Sequence, residues 1–367
     1  MNRPPEVDVF IEGRASDIGT KRFAKRFAKA QPSRFFRALA SGPQVSALGF
    51  GTYLGECDDA EDARYINTIA LAIERGVNVI DTAINYRCQR SERAIGEALR
   101  LAVEKKSVQR DEVVVCTKGG YIPLERTPPN TKEGYRGFLQ SEYYGPGIMS
   151  PDDVVAGGHC MTPRYLADQI ERSRRNLGIS CIDVYYLHNP EQQLDTLDRN
   201  AFSMALHSAF SELEEQVSRG AIASYGCATW HGFRSVPTAR NHLDLEELCA
   251  VARAVGGDSH HFRVVQLPVN LAMAEAVRAP TQKMGKHSVP LLEAAHEMGI
   301  SVIGSATLMQ SQLASSLPEQ IKTAFPGYSS DARRAVAFAQ SLPITAALVG
   351  MKSVAHLDQN LERGLVS

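Results

Sequence analysis

From about residue 45 onward, short β-branched or apolar runs alternate with longer segments whose apolar residues recur at helical spacing. The runs predict strands at Leu48–Tyr53, Val77–Ala83, Val113–Lys118, Ile182–His188, Ala223–Ala228, Arg263–Leu267, Ser301–Ser305 and Ala346–Gly350. A helical pattern follows each one, at Ala60–Glu74, Ser91–Lys105, Arg164–Leu177, Phe202–Arg219, Leu245–Val255, Val289–Met298, Asp331–Ser341 and Val354–Arg363. Strand then helix, eight times over, is the signature of an α/β protein of the (β/α)8 TIM-barrel type. An open, doubly wound sheet would usually carry a G-x-G-x-x-G turn after its first strand, and none occurs.

Two strand-to-helix connections exceed the usual few residues: Gly119–Pro163 after the third strand and Pro268–Ser288 after the sixth. Both belong to the face of a barrel that carries chemistry. The first is rich in aromatics (Tyr121, Tyr135, Phe138, Tyr143, Tyr144), so it is expected either to wall a substrate or simply to cover the barrel mouth.

Charge changes the picture in one place. The whole chain nearly balances, with 40 basic against 41 acidic residues, so no global field attracts nucleic acid or an anionic membrane. Between Asp17 and Glu56, however, there is no acid, while Lys21, Arg22, Lys25, Arg26, Lys29, Arg34 and Arg37 crowd together. Phe23 and Phe27 lie four apart, as on one helix face, before a break at Pro32, with Phe35 and Phe36 beyond it. Glu6, Asp8, Glu12 and Asp17 precede the basic stretch and argue against a transit peptide. Residues 1–44 are therefore expected to be an extension packed on a barrel that spans 45–367.

There is no uncharged apolar run of about 18 residues and no secretory core at the N-terminus. Seven scattered cysteines without a C-x-x-C pair indicate neither a disulfide framework nor a zinc ribbon, and suit a reducing cytoplasm.

Polar residues close the predicted strands where a barrel keeps its working groups. Asp81 ends one run, Lys118 the next and His188 the one after; Tyr86 follows Asp81 by five positions. A Lys beside a Tyr hydroxyl is expected to lower the phenol's pKa from about 10. Asp81 would keep the Lys charged, and a neutral His188 would polarise a carbonyl oxygen. Each residue alone has a plain structural explanation, but an apolar strand has no structural need to finish on Lys or His.

The chain resembles the aldo-keto reductase superfamily from about Val45 to its C-terminus. The resemblance rests on Val45-Ser-Ala-Leu-Gly-Phe-Gly-Thr-Tyr53, Asp81-Thr-Ala-Ile-Asn-Tyr86 followed by Ser91-Glu-Arg-Ala-Ile-Gly96, Thr117-Lys-Gly119, Leu187-His-Asn-Pro190 and Val265-Gln-Leu-Pro268. It implies NADPH-dependent reduction of a small aldehyde or ketone, with Tyr86 as general acid, Lys118 and Asp81 tuning it, and His188 orienting the carbonyl. It also implies that Gln266 bonds the nicotinamide carboxamide and that Asn360 contacts adenine. Lys352 and Ser353 fall where a 2′-phosphate is often held, and Gln359 replaces the commoner Glu. His356 stands where many NADPH users have Arg, which leaves NADH open as a cofactor. After the fifth strand Ala228-Thr229 replaces the family's Ser-Asn pair, so Thr229 supplies one hydrogen bond; Ser305 replaces the aromatic that often stacks on the nicotinamide. Trp230, the single tryptophan, is a substitute aromatic wall or loop packing.

Two other classes compete. One is a nicotinamide-binding sensor subunit resembling the β subunits of potassium channels. The other is a metal-dependent barrel hydrolase built on His159, Cys160, His188, His260 or His261, against which His260 and His261 precede the sixth strand and face the opposite barrel end. Cys88, two residues past Tyr86, is given no role.

Overall fold

The structure, a computed structural model, describes residues 10–125 and 128–362; the acids Glu6 and Asp8 and the expected helix end at Arg363 lie outside the described residues. Eight parallel strands close into a barrel. In chain order they are β1 (Leu48–Gly51), β2 (Val79–Asp81), β3 (Val114–Gly119), β4 (Val184–His188), β5 (Tyr225–Ala228), β6 (Phe262–Pro268), β7 (Ser301–Ser305) and β8 (Ala346–Gly350). Each pairs with its sequence neighbour, and β8 pairs with β1 to close the ring.

Alternation along these strands divides two cores. Val79, Val114, Cys116, Val184, Tyr186, Ala228, Val264, Ile303, Ala346 and Leu348 form one buried cluster filling the barrel. Phe50, Ile80, Val115, Tyr185, Leu187, Cys227 and Val265 belong to the other, beneath the helices. Because both faces are buried, the strands read as continuous apolar runs. The interior face continues by steps of two from Val79 to Asp81, from Cys116 to Lys118, from Tyr186 to His188 and from Val264 to Gln266. Strand periodicity alone therefore delivers these four polar side chains to one layer at the C-terminal end of the barrel.

Helix starts follow their caps. Asp58 accepts from the Glu61 N–H and begins Asp59–Glu74, and Asp198 accepts from the Ala201 N–H, which starts the helix Arg199–Ser218 at Arg199 instead of Phe202. Val289 is not helical as expected, because Pro290 sets the helix start; it belongs to a small hairpin of Gln282–Met284 with His287–Val289 inside the second long connection.

Residues 10–46 close the opposite end. Ser16 caps a helix, Asp17–Phe27, whose Phe23 is buried. Three of the basic residues of this stretch face acids and carbonyls: Arg22 donates to Asp111 and Glu112, Arg26 to Glu112, and Arg37 to the carbonyls of Leu342, Ile344 and Gln340. A hairpin of Phe36–Ala38 with Gln44–Ser46 follows, and Leu39 and Val45 join the barrel-filling cluster from below. No helix among the described residues is long and apolar enough to cross a membrane.

Candidate active site

The four residues singled out at the strand ends lie together. Asp81 is buried at the end of β2; its Oδ1 accepts from Lys118 Nζ at 2.5 Å and its Oδ2 from Gln266 Nε2 at 2.8 Å. Lys118 Nζ also donates to the Thr82 carbonyl at 2.6 Å and lies 5.1 Å from the centroid of the Tyr86 ring. Burial disfavours the ammonium, but the Asp81 carboxylate opposite it, with smaller contributions from Tyr86 and Cys116, outweighs that and lifts the Lys118 pKa above its ordinary value. The site therefore holds a fixed positive charge beside a phenol.

Tyr86 departs from expectation in one respect. Burial raises its pKa, the Lys118 charge opposes that, and Asp81 and Tyr53 add to the rise, so that the phenol stays above its ordinary value. Desolvation outweighs the lysine, and the group is a protonated hydroxyl at neutral pH. Its ring stands edge-on to Tyr53, 5.0 Å away, and to His188, 5.8 Å away.

His188 is held well below the imidazole's usual value, by burial first and then by Lys118 and His159. It is neutral, and its buried Nδ1 has no hydrogen-bond partner. His159 supports it: Gln193 Nε2 donates to His159 Nδ1 at 2.8 Å, so His159 Nε2 carries the proton it gives to the His188 carbonyl at 2.7 Å. Burial depresses the His159 pKa to about 4. Gly120, at φ +148°, makes this contact possible, since a Cβ there would come within 2.8 Å of both His159 Nε2 and the His188 carbonyl oxygen. His260 and His261 precede β6 at the far end of the barrel, where His261 pairs with Glu214. Among the described residues no group of three or more His, Cys, Asp or Glu converges as metal ligands.

The turn after Tyr86 is strained. Arg87, Cys88 and Gln89 have φ of 48°, 54° and 68°, three consecutive non-glycine residues in the left-handed region. Such residues cost on the order of 1–3 kcal/mol each and persist only when their surroundings hold them. Here the Arg87 guanidinium donates to the carbonyls of Glu56 and Asp58 and to the Asp62 carboxylate, tying the turn to the segment between β1 and the helix Asp59–Glu74.

A cavity of 370 Å³ adjoins Tyr86, lined by Asn85 and Cys88 on either side of it and by Tyr121, Ile122, Leu124 and Tyr135. The Tyr121 ring lies 5.0 Å from that of His188, and its hydroxyl accepts from Asn189 Nδ2 at 3.0 Å. Tyr143 does not wall this cavity. It is buried, together with Ile122, Leu139, Met149, Cys160 and Tyr165, in a small core within the long connection, against which Tyr144 and Phe138 also pack. The connection thus spends these aromatics on holding itself together.

The residues assigned to a cofactor fall after β5, on β6, and in the segment and helix after β8. Thr229 and Asn360 are buried, and Thr229 Oγ1 and Asn360 Oδ1 have no hydrogen-bond partner. Ser353 caps the helix Val354–Leu361 by accepting from the His356 N–H, Gln359 lies on that helix, and Lys352 Nζ is 2.7 Å from Glu61 Oε1. Gln266, expected at the nicotinamide, spends its amide N–H on Asp81. One further residue escaped the sequence reading: Glu191 Oε1 accepts the N–H groups of Trp230, His231 and Gly232, at 3.0, 3.0 and 3.1 Å, and so shapes the segment that follows Thr229. Trp230 itself is 40% exposed.

Relatives carry similar sequence over part of their length. A D-threo-aldose 1-dehydrogenase from Pseudomonas sp is 29% identical over 191 residues, 52% of this chain and 51% of that protein. An NADH-specific methylglyoxal reductase from Escherichia coli is 29% identical over 149 residues, 39% of this chain and 38% of that protein. The chain thus matches about half, or less, of the length of these curated relatives. A Klebsiella pneumoniae aldo/keto reductase solved with NADP and acetate shares the fold, with a TM-score of 0.58 at 19% identity, over 90% of this chain and 91% of that one. The model of the aldo/keto reductase family matches residues 47–322, from the start of the barrel past β7, and the chain belongs to that family.

Proposed function

We propose that the protein is an NADPH-dependent oxidoreductase that reduces a small aldehyde or ketone to an alcohol, with Tyr86 as the proton donor. The observation that carries this reading is the protonated Tyr86 hydroxyl held beside the Lys118–Asp81 ion pair and a neutral His188, next to a cavity lined by its neighbours Asn85 and Cys88 and by Tyr121. The neighbouring polar set fits a nicotinamide dinucleotide, because Thr229 Oγ1, just past β5, and Asn360 Oδ1, on the helix after β8, are buried and unpartnered. Gln266, Thr229, Lys352, Ser353, Gln359 and Asn360 are the residues that would hold it. When bound, the reduced nicotinamide supplies the hydride that the carbonyl carbon receives.

The chain's own residues supply the rest. Tyr86 gives its proton to the carbonyl oxygen as negative charge develops there, and the Lys118 ammonium stabilises the phenolate left behind. Asp81 keeps Lys118 charged and fixed. Neutral His188 orients the carbonyl oxygen, and the Gln193–His159 chain fixes the backbone that carries it. NADPH is the cofactor expected, with NADH as the alternative, since the Escherichia coli relative is named NADH-specific and His356 offers no guanidinium.

The cavity beside Tyr86 points to moderately apolar or aromatic carbonyl compounds. Tyr121, Tyr135, Ile122 and Leu124 give it apolar walls, and Asn85 offers a polar group, whereas a sugar asks for many convergent polar groups. The test is fluorescence titration with NADPH and NADH, then a screen of aromatic aldehydes, ketones and aldoses followed by the absorbance of the reduced nicotinamide. Binding well below millimolar, a level worth only about 4 kcal/mol, is expected. Failure of both cofactors to bind would remove the enzyme reading, and a preference for aldoses would overturn the substrate class.

A further inference from the structure

Seven cysteines are free, and two of them meet beside the candidate site from separate segments. Cys57 Sγ and Cys88 Sγ are 3.8 Å apart; Cys57 is exposed and Cys88 is buried. A disulfide bond of about 2.05 Å needs their sulfurs to approach by less than the width of one atom. The other five, Cys116, Cys160, Cys181, Cys227 and Cys249, are all buried.

The two segments matter more than the sulfurs. Cys57 lies between β1 and the helix Asp59–Glu74, on the same stretch as Tyr53, whose ring stands against Tyr86. Cys88 lies in the left-handed turn that follows Tyr86 and lines the cavity beside it. Arg87 already holds the two stretches together through the Glu56 and Asp58 carbonyls, which keeps the thiols facing each other.

We propose that Cys57 and Cys88 are a dithiol modification site that a small disulfide, such as oxidised glutathione, converts to a reversible cross-link latching the Tyr53–Asp58 stretch over Tyr86. Exposed Cys57 reacts first: having lost its proton to solvent, its thiolate sulfur attacks the small disulfide, whose S–S bond breaks and releases one small thiol. Cys88, having lost its proton to solvent, then attacks Cys57 Sγ of the mixed disulfide and releases the second small thiol. Two protein thiols are oxidised, and one small disulfide is reduced to two thiols. The link draws Cys88 and the Tyr53 stretch together at the cavity edge and restricts entry to Tyr86; that consequence for turnover rests on the proposed function, whereas the cross-link does not.

The full-length chain is incubated with oxidised glutathione, alkylated with iodoacetamide and mapped by mass spectrometry after trypsin. The expected product joins the peptide 38–64 to the peptide 88–90, with the other five cysteines alkylated only after unfolding. Amide hydrogen exchange across residues 53–58 is expected to slow in the cross-linked form. Turnover of a carbonyl substrate is expected to drop and to return with dithiothreitol, while Cys57→Ser turns over equally with and without the oxidant. Glutathione left on Cys57 with Cys88 still alkylated would overturn the proposal, as would a cross-link that changes neither exchange nor turnover. A reduced protein without any turnover would remove the proposed function alone, since mapping and exchange still decide the latch.

Discussion

Gln266 on β6 donates to Asp81 on β2 across the full width of the barrel, at 2.8 Å. The two strands stand opposite each other in the eight-stranded ring, and 185 positions separate the residues in the chain. Between them the Asp81 carboxylate serves two donors from different sides, Lys118 and Gln266, with no water needed. This pins the ion pair at the layer where the apolar barrel filling ends.

The arrangement makes Lys118 costly to leave alone. Asp81→Asn removes the counter-charge from a buried ammonium and is expected to cost about 3–5 kcal/mol of stability. The double variant Asp81→Asn with Lys118→Met removes both charges and is expected to recover much of that loss. Urea unfolding of the three proteins decides it: a double variant no more stable than Asp81→Asn would show that the charge of Lys118 is not what the barrel pays for.

Tyr86→Phe keeps the ring and its contacts with Tyr53 and His188 while removing the hydroxyl. General acid catalysis of this kind is worth ~10²–10⁴-fold, so carbonyl reduction is expected to fall by that order while NADPH binding holds. Retention of full activity with a substrate found by the screen would assign the proton elsewhere.

The barrel was legible in the sequence because every strand is buried on both faces, and the polar ends of β2, β3 and β4 stood out against that run. Asp81, Lys118 and His188 converge by strand periodicity, a local signal. Partnerships between distant positions left no such signal: Gln193 with His159, His159 with the His188 carbonyl, and Glu191 with the 230–232 backbone each join separate loops. Aromatic content of the long connection was visible too, but not its direction, because a loop has no period to say which side chains turn inward; Tyr143 turned into the loop's own core. The direction of the Tyr86 pKa failed for a physical reason, since burial and lysine charge act oppositely and composition does not reveal which is larger.

Acid should weaken the fold through His159. Its folded pKa is about 4, below the ordinary 6.5, so the unfolded chain takes up this proton first as pH falls. The stability it contributes is intact above pH 6.5, is lost progressively down to about 4, and falls no further below that. A gap of this size corresponds to about 3 kcal/mol. His188, also depressed by burial, adds in the same direction. Unfolding free energies measured from pH 7 to 4 are expected to fall less steeply in His159→Gln, even if that variant begins less stable; equal slopes would exclude the imidazole as a source.

Glu191 governs the segment after β5 without being placed to touch a reacting atom. One oxygen of its buried carboxylate receives three consecutive backbone N–H groups, Trp230 to Gly232, and burial raises its pKa although those same donors pull it down. Glu191→Ala leaves three donors to find new partners, at about 1–3 kcal/mol for each that stays buried and unpaired. Thr229 would lose the rigid segment that follows it, so the expected effect is a weaker hold on NADPH, seen as a raised Kd, with a smaller change in kcat at saturating cofactor. Glu191→Gln retains an acceptor oxygen at the same place and is expected to recover most of the affinity, which separates the hydrogen-bonding role from the charge. If Glu191→Ala binds NADPH as tightly as the parent protein, the 230–232 segment does not help to shape the cofactor site, and Thr229 must be positioned by its own N–H bond to the Gln266 carbonyl alone.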